Sequence, residues 1–450
     1  TQDGTLMPNQ FGIMVSGSNN EIGKSDMANG NVVCGSGVAG IEVASGGGNK
    51  IQHNFIGTTF DGRTDAGNQQ GILIGGSDNN IIGGPNWDDG NVISGNTIYG
   101  IFISGAPPDS YSENTIIQNN NIGLNPDQTA AIPNNFGINI TNATLSTVIT
   151  DNIIAGNNGD GIYIWAYDDE SSTLGHIIHS NTIGKNNSQT VFPNGGAGIS
   201  IAGNVSNVKI GQDENGNYSG NTIVGNLNSG VQVVPFNGYS PDRITIRRNG
   251  LYGNDLGNLF VDTSANNRIR APFNLQYNSG LITGKHSLPN AIIDIYNADR
   301  YELAPSATFR IGTTNTDAQG NFAFSTNLNI DAISVTATDF EGNTSSFARL
   351  NIVTDVEDEN YIPTEFSLEQ NYPNPFNPST TIQFSIPKSG NVKVKVYDVL
   401  GNEVESLIDE YREAGRYEVT YDASGLSSGV YFYNLQSGSF AQTKKLQLIK

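Results

Sequence analysis

Two short sequence blocks recur through the first 270 residues of this chain, and this repetition restricts the fold more than any other feature. The first block, N-x-[VI]-x-G, occupies residues 31–35, 91–95, 152–156 and 221–225, and each copy leads to a G-[IV]-x-[IV] strand at 40–43, 100–103, 161–164 and 230–233. The second block, N-x-I-G, occupies residues 54–57, 120–123 and 181–184, and each copy precedes G-I-x-I at 71–74, 137–140 and 198–201.

Each block predicts a strand of only three to five residues, because apolar residues alternate with other residue types. Short strands separated by regular turns favour a parallel β-helix, in which equivalent strands stack coil on coil around an apolar interior. Recurrent Asn fits the turns, since it tolerates left-handed backbone angles and its stacked amides bond to one another. A β-propeller would need longer strands, four to a blade.

Composition and charge exclude several classes of partner. Charged residues make up 14% of the chain and the net charge is -21, which argues against nucleic acid as a partner, because phosphate binding needs clustered Lys and Arg. No stretch reaches the roughly 20 apolar residues of a membrane span. Cys34 is the single cysteine, which rules out an intramolecular disulfide.

Residues 56–63 (IGTTFDGR) add a third recurring element to the two blocks. With them, residues 1–270 resemble a family of right-handed parallel β-helix repeat proteins, most of which have no assigned activity. Residues 1–5 match residues 59–63, so the sequence starts within a repeat. We expect a neighbouring subunit, forming a homopolymer through the solenoid end, or an upstream segment to cover this first coil.

Longer alternating runs follow at residues 271–354 and predict a small antiparallel β-sandwich. Residues 316–322 (TDAQGNF) and 338–345 (TDFEGNTS) resemble an immunoglobulin-like module, which we expect to cap the β-helix or to act as a spacer. An acidic linker at 355–362 separates it from the last segment. The predicted class is therefore all-β: a right-handed parallel β-helix followed by two small β-sandwich domains.

Residues 363–450 combine a proline-rich entry (NYPNPFNPSTTI) with a basic final strand. Together these motifs resemble the C-terminal sorting domain of type IX secretion cargo, which implies recognition by the type IX secretion machinery and a place outside, or on the outer surface of, a Gram-negative-type bacterium. The residues that carry this resemblance are Asn371, Pro373, Asn374, Pro375, Phe376, Gly429, Tyr431, Lys444 and Lys445.

The strand that starts at Gly161 carries the candidate ligand site. If its Ile residues point inward, Tyr163, Trp165 and Tyr167 point outward together, which suits stacking against a polysaccharide. The carboxylates of Asp168, Asp169 and Glu170 follow and could hold Ca²⁺. The alternative is an ordinary loop that packs its aromatic residues over the solenoid above a solvated acidic turn.

The other polar clusters, one of histidines and one of arginines, favour structural roles over catalysis or ligand binding. His176 and His179 could pair on a metal, but a turn pair is the favoured interpretation. Arg243, Arg247 and Arg248 favour a salt-bridged terminal coil over an anion site. The Gly-His-Gly and Arg-x-Lys motifs associated with polygalacturonases are missing from the sequence. We therefore predict a non-catalytic surface protein: an adhesin, a filament or sheath subunit, or a glycan-contacting scaffold. The alternative is a secreted polysaccharide lyase or glycoside hydrolase of the β-helix type.

Overall fold

A computed structural model of the chain describes residues 9–24, 30–105, 110–167, 173–213, 215–217, 219–352, 363, 366–438 and 440–449. Regular structure in these ranges is β-strand apart from short 3-10 turns at Trp87–Asp89 and Asn266–Arg268, which confirms the all-β class. The chain divides into two compact units, residues 1–299 with 305–352 and residues 300–304 with 353–450. None of the described segments forms a helix with the length and hydropathy needed to cross a bilayer.

The described part of residues 9–261 forms a parallel β-helix, because each strand pairs in parallel with its equivalent one coil away. The first sheet contains Phe11–Val15, Ala39–Val43, Gln70–Gly75, Tyr99–Ser104, Phe136–Thr141, Ile162–Ala166, Ile199–Gly203, Val231–Val234 and Leu259–Val261. The second contains Glu21–Ile22, Lys50–Ile51, Ile81–Gly83, Ile116–Gln118, Val148–Thr150, Ile177–His179, Lys209–Ile210 and Thr245–Ile246.

Two further parallel sheets complete the coils. The third sheet contains Val32–Val33, Phe55–Ile56, Val92–Ile93, Asn121–Ile122, Ile153–Ile154, Thr182–Ile183, Thr222–Val224 and Gly250–Tyr252. The fourth contains Ser112–Glu113, Thr144–Leu145, Thr173–Leu174 and Val205–Ser206. The predicted recurrence of strands is therefore confirmed as stacked parallel sheets.

Isoleucine fills the interior in register. In the first sheet Ile41, Ile72, Ile101, Ile138 and Ile162 are consecutive partners and are fully buried. Burying an Ile side chain contributes roughly 1.5–3 kcal/mol, so each coil adds its own increment of core. The next residue of each strand points outward, which leaves the outer face free to vary.

Asparagine ladders hold the corners of successive coils together. In the longer ladder, each Asn gives both its backbone N–H and its side-chain amide to Oδ1 of the next Asn. Its members are Asn31, Asn54, Asn91, Asn120, Asn152, Asn181, Asn221 and Asn249. A second ladder contains Asn68, Asn96, Asn134, Asn157, Asn194, Asn226 and Asn254. The predicted stacking of Asn amides is confirmed.

The segment after the β-helix forms two antiparallel sheets around an apolar core that includes Ile282, Ile293 and Val335. One sheet contains Phe273–Asn278, Leu281–Lys285 and Asn321–Ser325. The other contains Phe309–Asn315, Ile292–Asn297, Ala332–Thr338 and Ala348–Asn351. The predicted sandwich is present, and its kinship to immunoglobulin-like modules stays a prediction.

This sandwich caps the last coil of the β-helix. The N–H of Arg243 donates to Oδ1 of Asn343 at 2.6 Å, and the N–H of Thr344 donates to the carbonyl oxygen of Ile244 at 3.1 Å. Leu251 and Ala307 exchange backbone hydrogen bonds of 2.7 and 2.8 Å. These contacts pair strand groups that an open coil would leave without partners, so the module acts as a cap.

Arg247 anchors the cap through a buried ion pair. Its Nε and Nη2 donate to the two carboxylate oxygens of Asp294 at 2.5 and 3.0 Å, and both side chains are nearly or fully buried. Arg243 forms a 3.2 Å pair with Asp242 at the surface, and the N–H of Arg248 donates to the hydroxyl of Tyr296 at 2.8 Å. The prediction of a salt-bridged terminal coil is thus confirmed at Arg243 and Arg247.

The second unit contains two antiparallel sheets around the core of Phe384, Val394, Tyr433 and Leu446. One sheet contains Ser367–Leu368, Ser379–Ile386 and Gly415–Asp422. The other contains Glu403–Arg412, Gly390–Tyr397, Gly429–Ser437 and Phe440–Leu448. The second predicted β-sandwich is present. The predicted linker at 355–362 and the repeat match at residues 1–5 lie outside the described residues.

Candidate functional site

The strand Ile162–Ala166 presents its aromatic side chains on the outer face of the first sheet. Ile162, Ile164 and Ala166 are fully buried, whereas Tyr163 and Trp165 are half-buried between them. Tyr167 follows the strand and is 41% exposed. The alternation that predicted this orientation therefore applies through the strand.

The three predicted aromatic residues belong to a longer series of rings. Ring centroids of Tyr163 and Trp165 are 6.1 Å apart, and those of Trp165 and Tyr167 are 5.8 Å apart. The series extends through Phe136, 6.1 Å from Tyr163, to Tyr99, a further 5.8 Å away. Phe102 stacks on Tyr99 at 4.8 Å, and Phe236 meets Trp165 edge-on at 5.7 Å. We call these seven rings the aromatic band.

Strand register, more than sequence proximity, assembles the aromatic band. Tyr99 and Phe136 are direct partners on adjacent strands, each placed just before the Gly that opens its G-I-x-I strand. The sequence reading missed Tyr99, Phe102, Phe136 and Phe236, which come from other coils. An aromatic residue repeated at the same place in the block was the signal that could have found Tyr99 and Phe136.

Polar side chains on the neighbouring strands contact Trp165 and lie beside Tyr163, the two rings in the middle of the aromatic band. The indole Nε1 of Trp165 donates to Oδ1 of Asn139 at 3.2 Å. Asn139 and Ser200 are the strand partners of Tyr163 on either side, and Nε2 of Gln232 donates to the hydroxyl of Ser200 at 2.9 Å. Asn139 and Ser200 are nearly fully buried, so these bonds hold the rings in place, and Gln232 is the partly exposed amide of the group.

Asp160 supplies a titratable group next to Tyr163. Burial raises the pKa of Asp160 to about 6, and the hydrogen bond that its Oδ1 accepts from the N–H of Ala197 at 2.6 Å opposes part of that rise. Burial also raises the pKa of Tyr163, and the negative charge of Asp160 adds to the effect. The charge beside the aromatic band therefore changes near pH 6.

The predicted calcium ligands Asp168, Asp169 and Glu170 lie outside the described residues, and Ca²⁺ binding there stays a prediction. Within the described ranges, no three His, Cys, Asp or Glu side chains lie together in a way that could hold a metal. His176 is fully buried, and burial lowers its pKa to about 3, whereas His179 is only half-buried and contacts Thr150 at 3.1 Å. The two histidines therefore do not form the metal pair considered above.

The second unit brings its motif residues together around the final strand. Asn371, Asn374 and Phe376 are buried, while Pro373 and Pro375 between them are exposed. Oδ1 of Asn374 accepts the N–H of Gln447 at 2.8 Å. The backbone of Phe376 donates to the carbonyl oxygen of Gln447 at 2.9 Å and accepts the N–H of Ile449 at 3.0 Å.

The remaining motif residues lie on the final strand or on its partner. Gly429 pairs with Leu448 and Tyr431 pairs with Leu446. Lys444 and Lys445 lie opposite Tyr433 and Phe432 in the same ladder, and the side chain of Lys445 is exposed. The proline-rich entry and the basic strand, 70 residues apart in sequence, therefore form one structural element.

Residues 370–450 match the family model described as a secretion system C-terminal sorting domain. This part of the chain is thus a type IX sorting domain, as its motifs indicated, and the protein is directed to the cell surface or the extracellular space. The sorting domain implies an interaction with the type IX secretion machinery. No protein of curated function matches the sequence.

Three solved structures resemble the chain weakly. A tetra-tandem repeat from the extending region of a large adhesion protein is 15% identical over 38% of this chain and 45% of its own, with a TM-score of 0.14. A tailspike protein of Acinetobacter baumannii bacteriophage Fri1, a capsular polysaccharide depolymerase, is 8% identical over 74% and 69%, with a TM-score of 0.18. The Dettilon tailspike protein is 14% identical over 96% and 83%, with a TM-score of 0.21. The chain spans less than half of the first structure, and scores this low carry no conclusion about function.

Proposed function

We propose that this chain is a non-catalytic surface protein whose β-helix contacts a polysaccharide through the aromatic band. The observation that carries the proposal is the continuity of that band: seven rings from four coils meet on one outer face. Aromatic side chains supply large contact area with little loss of side-chain freedom. Contiguous apolar surface on the outside of a protein is typical of interaction sites, and the exposed rings of Tyr167 and Phe236 support one here.

The chemistry beside the rings supports a glycan as the occupant. A sugar presents apolar C–H faces and a rim of hydroxyl groups, and the partly exposed amide of Gln232 lies on the same sheet as the aromatic band. Rings set about 6 Å apart form an extended track, which suits a chain of sugars better than a compact ligand. Surface glycan is plentiful where a sorting domain delivers its cargo, at the exterior of a Gram-negative-type cell.

Binding to surface polysaccharides tests the proposal, with the whole chain run through gels that contain each glycan. Tyr163→Ala combined with Trp165→Ala should weaken binding at least about tenfold, since two central ring contacts are lost. Phe260→Ala is the control, because Phe260 is a more exposed ring on the last strand of the same sheet and lies outside the aromatic band. If the double variant bound every glycan as tightly as Phe260→Ala and the parent do, the proposal would be contradicted.

Two further measurements address the finer roles. Incubation of a bound polysaccharide with Ca²⁺ present should release neither unsaturated products nor new reducing ends, and release of either would establish the lyase or hydrolase alternative. Electron microscopy of native cell-derived material tests the predicted homopolymer through the solenoid end. Ordered filaments would make the protein a structural subunit, whereas discrete monomers would limit it to adhesion or glycan contact.

A further inference from the structure

A second site lies on the third sheet, away from the aromatic band. Phe55, Val92 and Asn121 are partners on consecutive strands and form the floor of a cleft. The 3-10 turn Trp87–Asp89 and Pro126 in the loop after Asn121–Ile122 form its walls. The volume of the cleft is about 170 Å³, below the roughly 300–1,000 Å³ of drug-sized pockets. The cleft therefore suits one ring-sized group.

Hydrogen bonds fix both walls in place. The backbone and side-chain amides of Asn86 donate to one carboxylate oxygen of Asp89, each at 3.0 Å, which holds the turn that carries Trp87. The N–H of His53 donates to the carbonyl oxygen of Asp89 at 3.0 Å. On the other side, Nδ2 of Asn121 donates to the carbonyl oxygen of Asn125 at 2.7 Å. The cleft is preorganised, so a ligand would lose little free energy in ordering it.

The side-chain oxygen of Asn121, which lines the cleft, is a hydrogen-bond acceptor without a donor among the described residues. Its side chain is 4% exposed, and its Oδ1 accepts no hydrogen bond from the described residues. The outward positions before it in this row, Phe55 and Val92, are apolar. Buried polar atoms in folded proteins nearly always have a partner, and a hydroxyl group is a donor of the right kind.

The exposed indole of Trp87 supplies the complementary apolar surface. Trp87 is 48% exposed and lies beside the polar side chains of Asp88 and Asn119 in the lining. Among the described residues that line the cleft there is no Lys or Arg, and Asp88 would repel an anion. We infer that this cleft binds a single neutral sugar ring, with an apolar face against Trp87 and a hydroxyl donating to Oδ1 of Asn121. The inference does not depend on the aromatic band.

The two tryptophans allow the two sites to be followed separately, because Trp87 and Trp165 are the only ones in the sequence. In the full chain with Trp165→Phe, fluorescence reports on Trp87 alone. Titration with methyl glycosides of glucose, galactose, mannose and N-acetylglucosamine should give a saturable change with at least one of them. Galacturonic acid should give none. The inference would be overturned if no neutral glycoside at millimolar concentration changed the fluorescence of Trp87, or if galacturonic acid alone changed it.

Variants then assign the contacts by isothermal titration calorimetry with the responding glycoside. Trp87→Ala, an exposed substitution with little effect on folding, should weaken binding at least about tenfold. Asn121→Leu keeps the side-chain volume but removes the acceptor, and should weaken binding by a similar factor while the melting transition shows that the coil is folded. Phe60→Ala, at an 80% exposed ring outside the cleft, should bind as the parent does. Undiminished binding by Trp87→Ala would refute the site.

Discussion

The side-chain amide of Asn120 donates a hydrogen bond to Oδ1 of Asn152 at 3.0 Å, although 32 residues separate them in sequence. The backbone N–H of Asn120 donates to the same oxygen at 2.9 Å. One oxygen thus accepts two hydrogen bonds from the preceding coil. The side-chain amide of Asn152 in turn donates to Oδ1 of Asn181 at 3.0 Å. The ladder fixes the spacing of coils at a corner where the backbone leaves one sheet for the next.

Replacement of Asn152 should therefore destabilise the β-helix strongly. Asn152→Ala removes the acceptor of the buried backbone N–H of Asn120, whereas the side-chain amide of Asn120 keeps the carbonyl oxygens of Ile82 and Gln118 as acceptors. One unsatisfied buried group costs about 1–3 kcal/mol, and the bonds that the Asn152 amide donates to Ile117 and Asn181 are lost as well, so we expect a loss of roughly 2–4 kcal/mol in the free energy of unfolding. Urea denaturation followed by tryptophan fluorescence measures it, because both tryptophans lie in the β-helix.

The matched control is Asn158→Ala, at an exposed Asn in a neighbouring turn of the same coil. Surface substitutions of this kind change stability by less than about 0.5 kcal/mol. If Asn152→Ala unfolded at the same urea concentration as Asn158→Ala, the ladder would have no role in stability.

The buried pair of Arg247 and Asp294 makes a second prediction. Asp294→Ala leaves the guanidinium of Arg247 buried without its carboxylate, a change that typically costs about 3–5 kcal/mol. Asp242→Ala removes the exposed partner of Arg243 in the same coil and should cost less than about 1 kcal/mol. Thermal unfolding of the two variants compares them directly, and similar melting temperatures would contradict the anchoring role of the buried pair.

The sequence was sufficient to predict the features that recur in every coil, but not the contacts between side chains that come from distant segments. Alternating Ile residues and recurrent Asn were sufficient to predict the parallel sheets and the stacked amides, because both follow from local periodicity. The partner of Arg247 was not predictable, since Asp294 lies in another fold element. Likewise the cleft joins Phe55, Trp87 and Asn121, and the place of Asn121 in its floor depends on a strand register that no local pattern reveals.

A turn with the sequence D-x-x-G-N recurs at residues 213–217, 317–321, 339–343 and 398–402 and makes a third prediction. In the last copy, the side-chain amide and backbone N–H of Asn402 both donate to the Asp398 carboxylate at 2.9 Å. These bonds hold the pKa of Asp398 below its ordinary value, with the Asn402 side chain as the largest cause. A depressed pKa in the folded state means that the stabilisation is present above the unfolded pKa and is lost as the pH falls.

Carbon-detected NMR titration of the Asp398 carboxyl measures this directly. Its midpoint should lie below the ordinary value of about 3.9, and Asn402→Ala should raise it towards that value. Asn321→Ala, which changes the equivalent turn at Asp317, serves as the control and should leave the Asp398 midpoint where it is. An Asp398 midpoint unaffected by Asn402→Ala would show that the turn does not depend on the amide.

Asp160 makes the fourth prediction, and its effect on stability has the opposite pH dependence, because its pKa is raised in the folded protein whereas that of Asp398 is lowered. Burial raises the folded pKa of Asp160 to about 6, so between about pH 4 and pH 6 the unfolded chain releases a proton that the folded chain retains. Stability should therefore fall as the pH rises through this window and level off above it. A shift of about two units would correspond to nearly 3 kcal/mol, and partial exposure of the side chain reduces the expected loss to roughly 1–2 kcal/mol.

Asp160→Asn isolates the effect, since its amide oxygen can still accept the N–H of Ala197 while carrying no charge. The variant should equal or exceed the parent in stability at pH 7.5 and lose most of the parent's decline between pH 4 and pH 7.5, as measured by urea denaturation. Asp331→Asn removes one exposed carboxylate elsewhere in the same unit and controls for net charge. Parallel pH profiles for the parent and Asp160→Asn would mean that the carboxyl beside Tyr163 is already ionised and solvated in the folded protein. In that case glycan binding at the aromatic band should also be independent of pH across the same window.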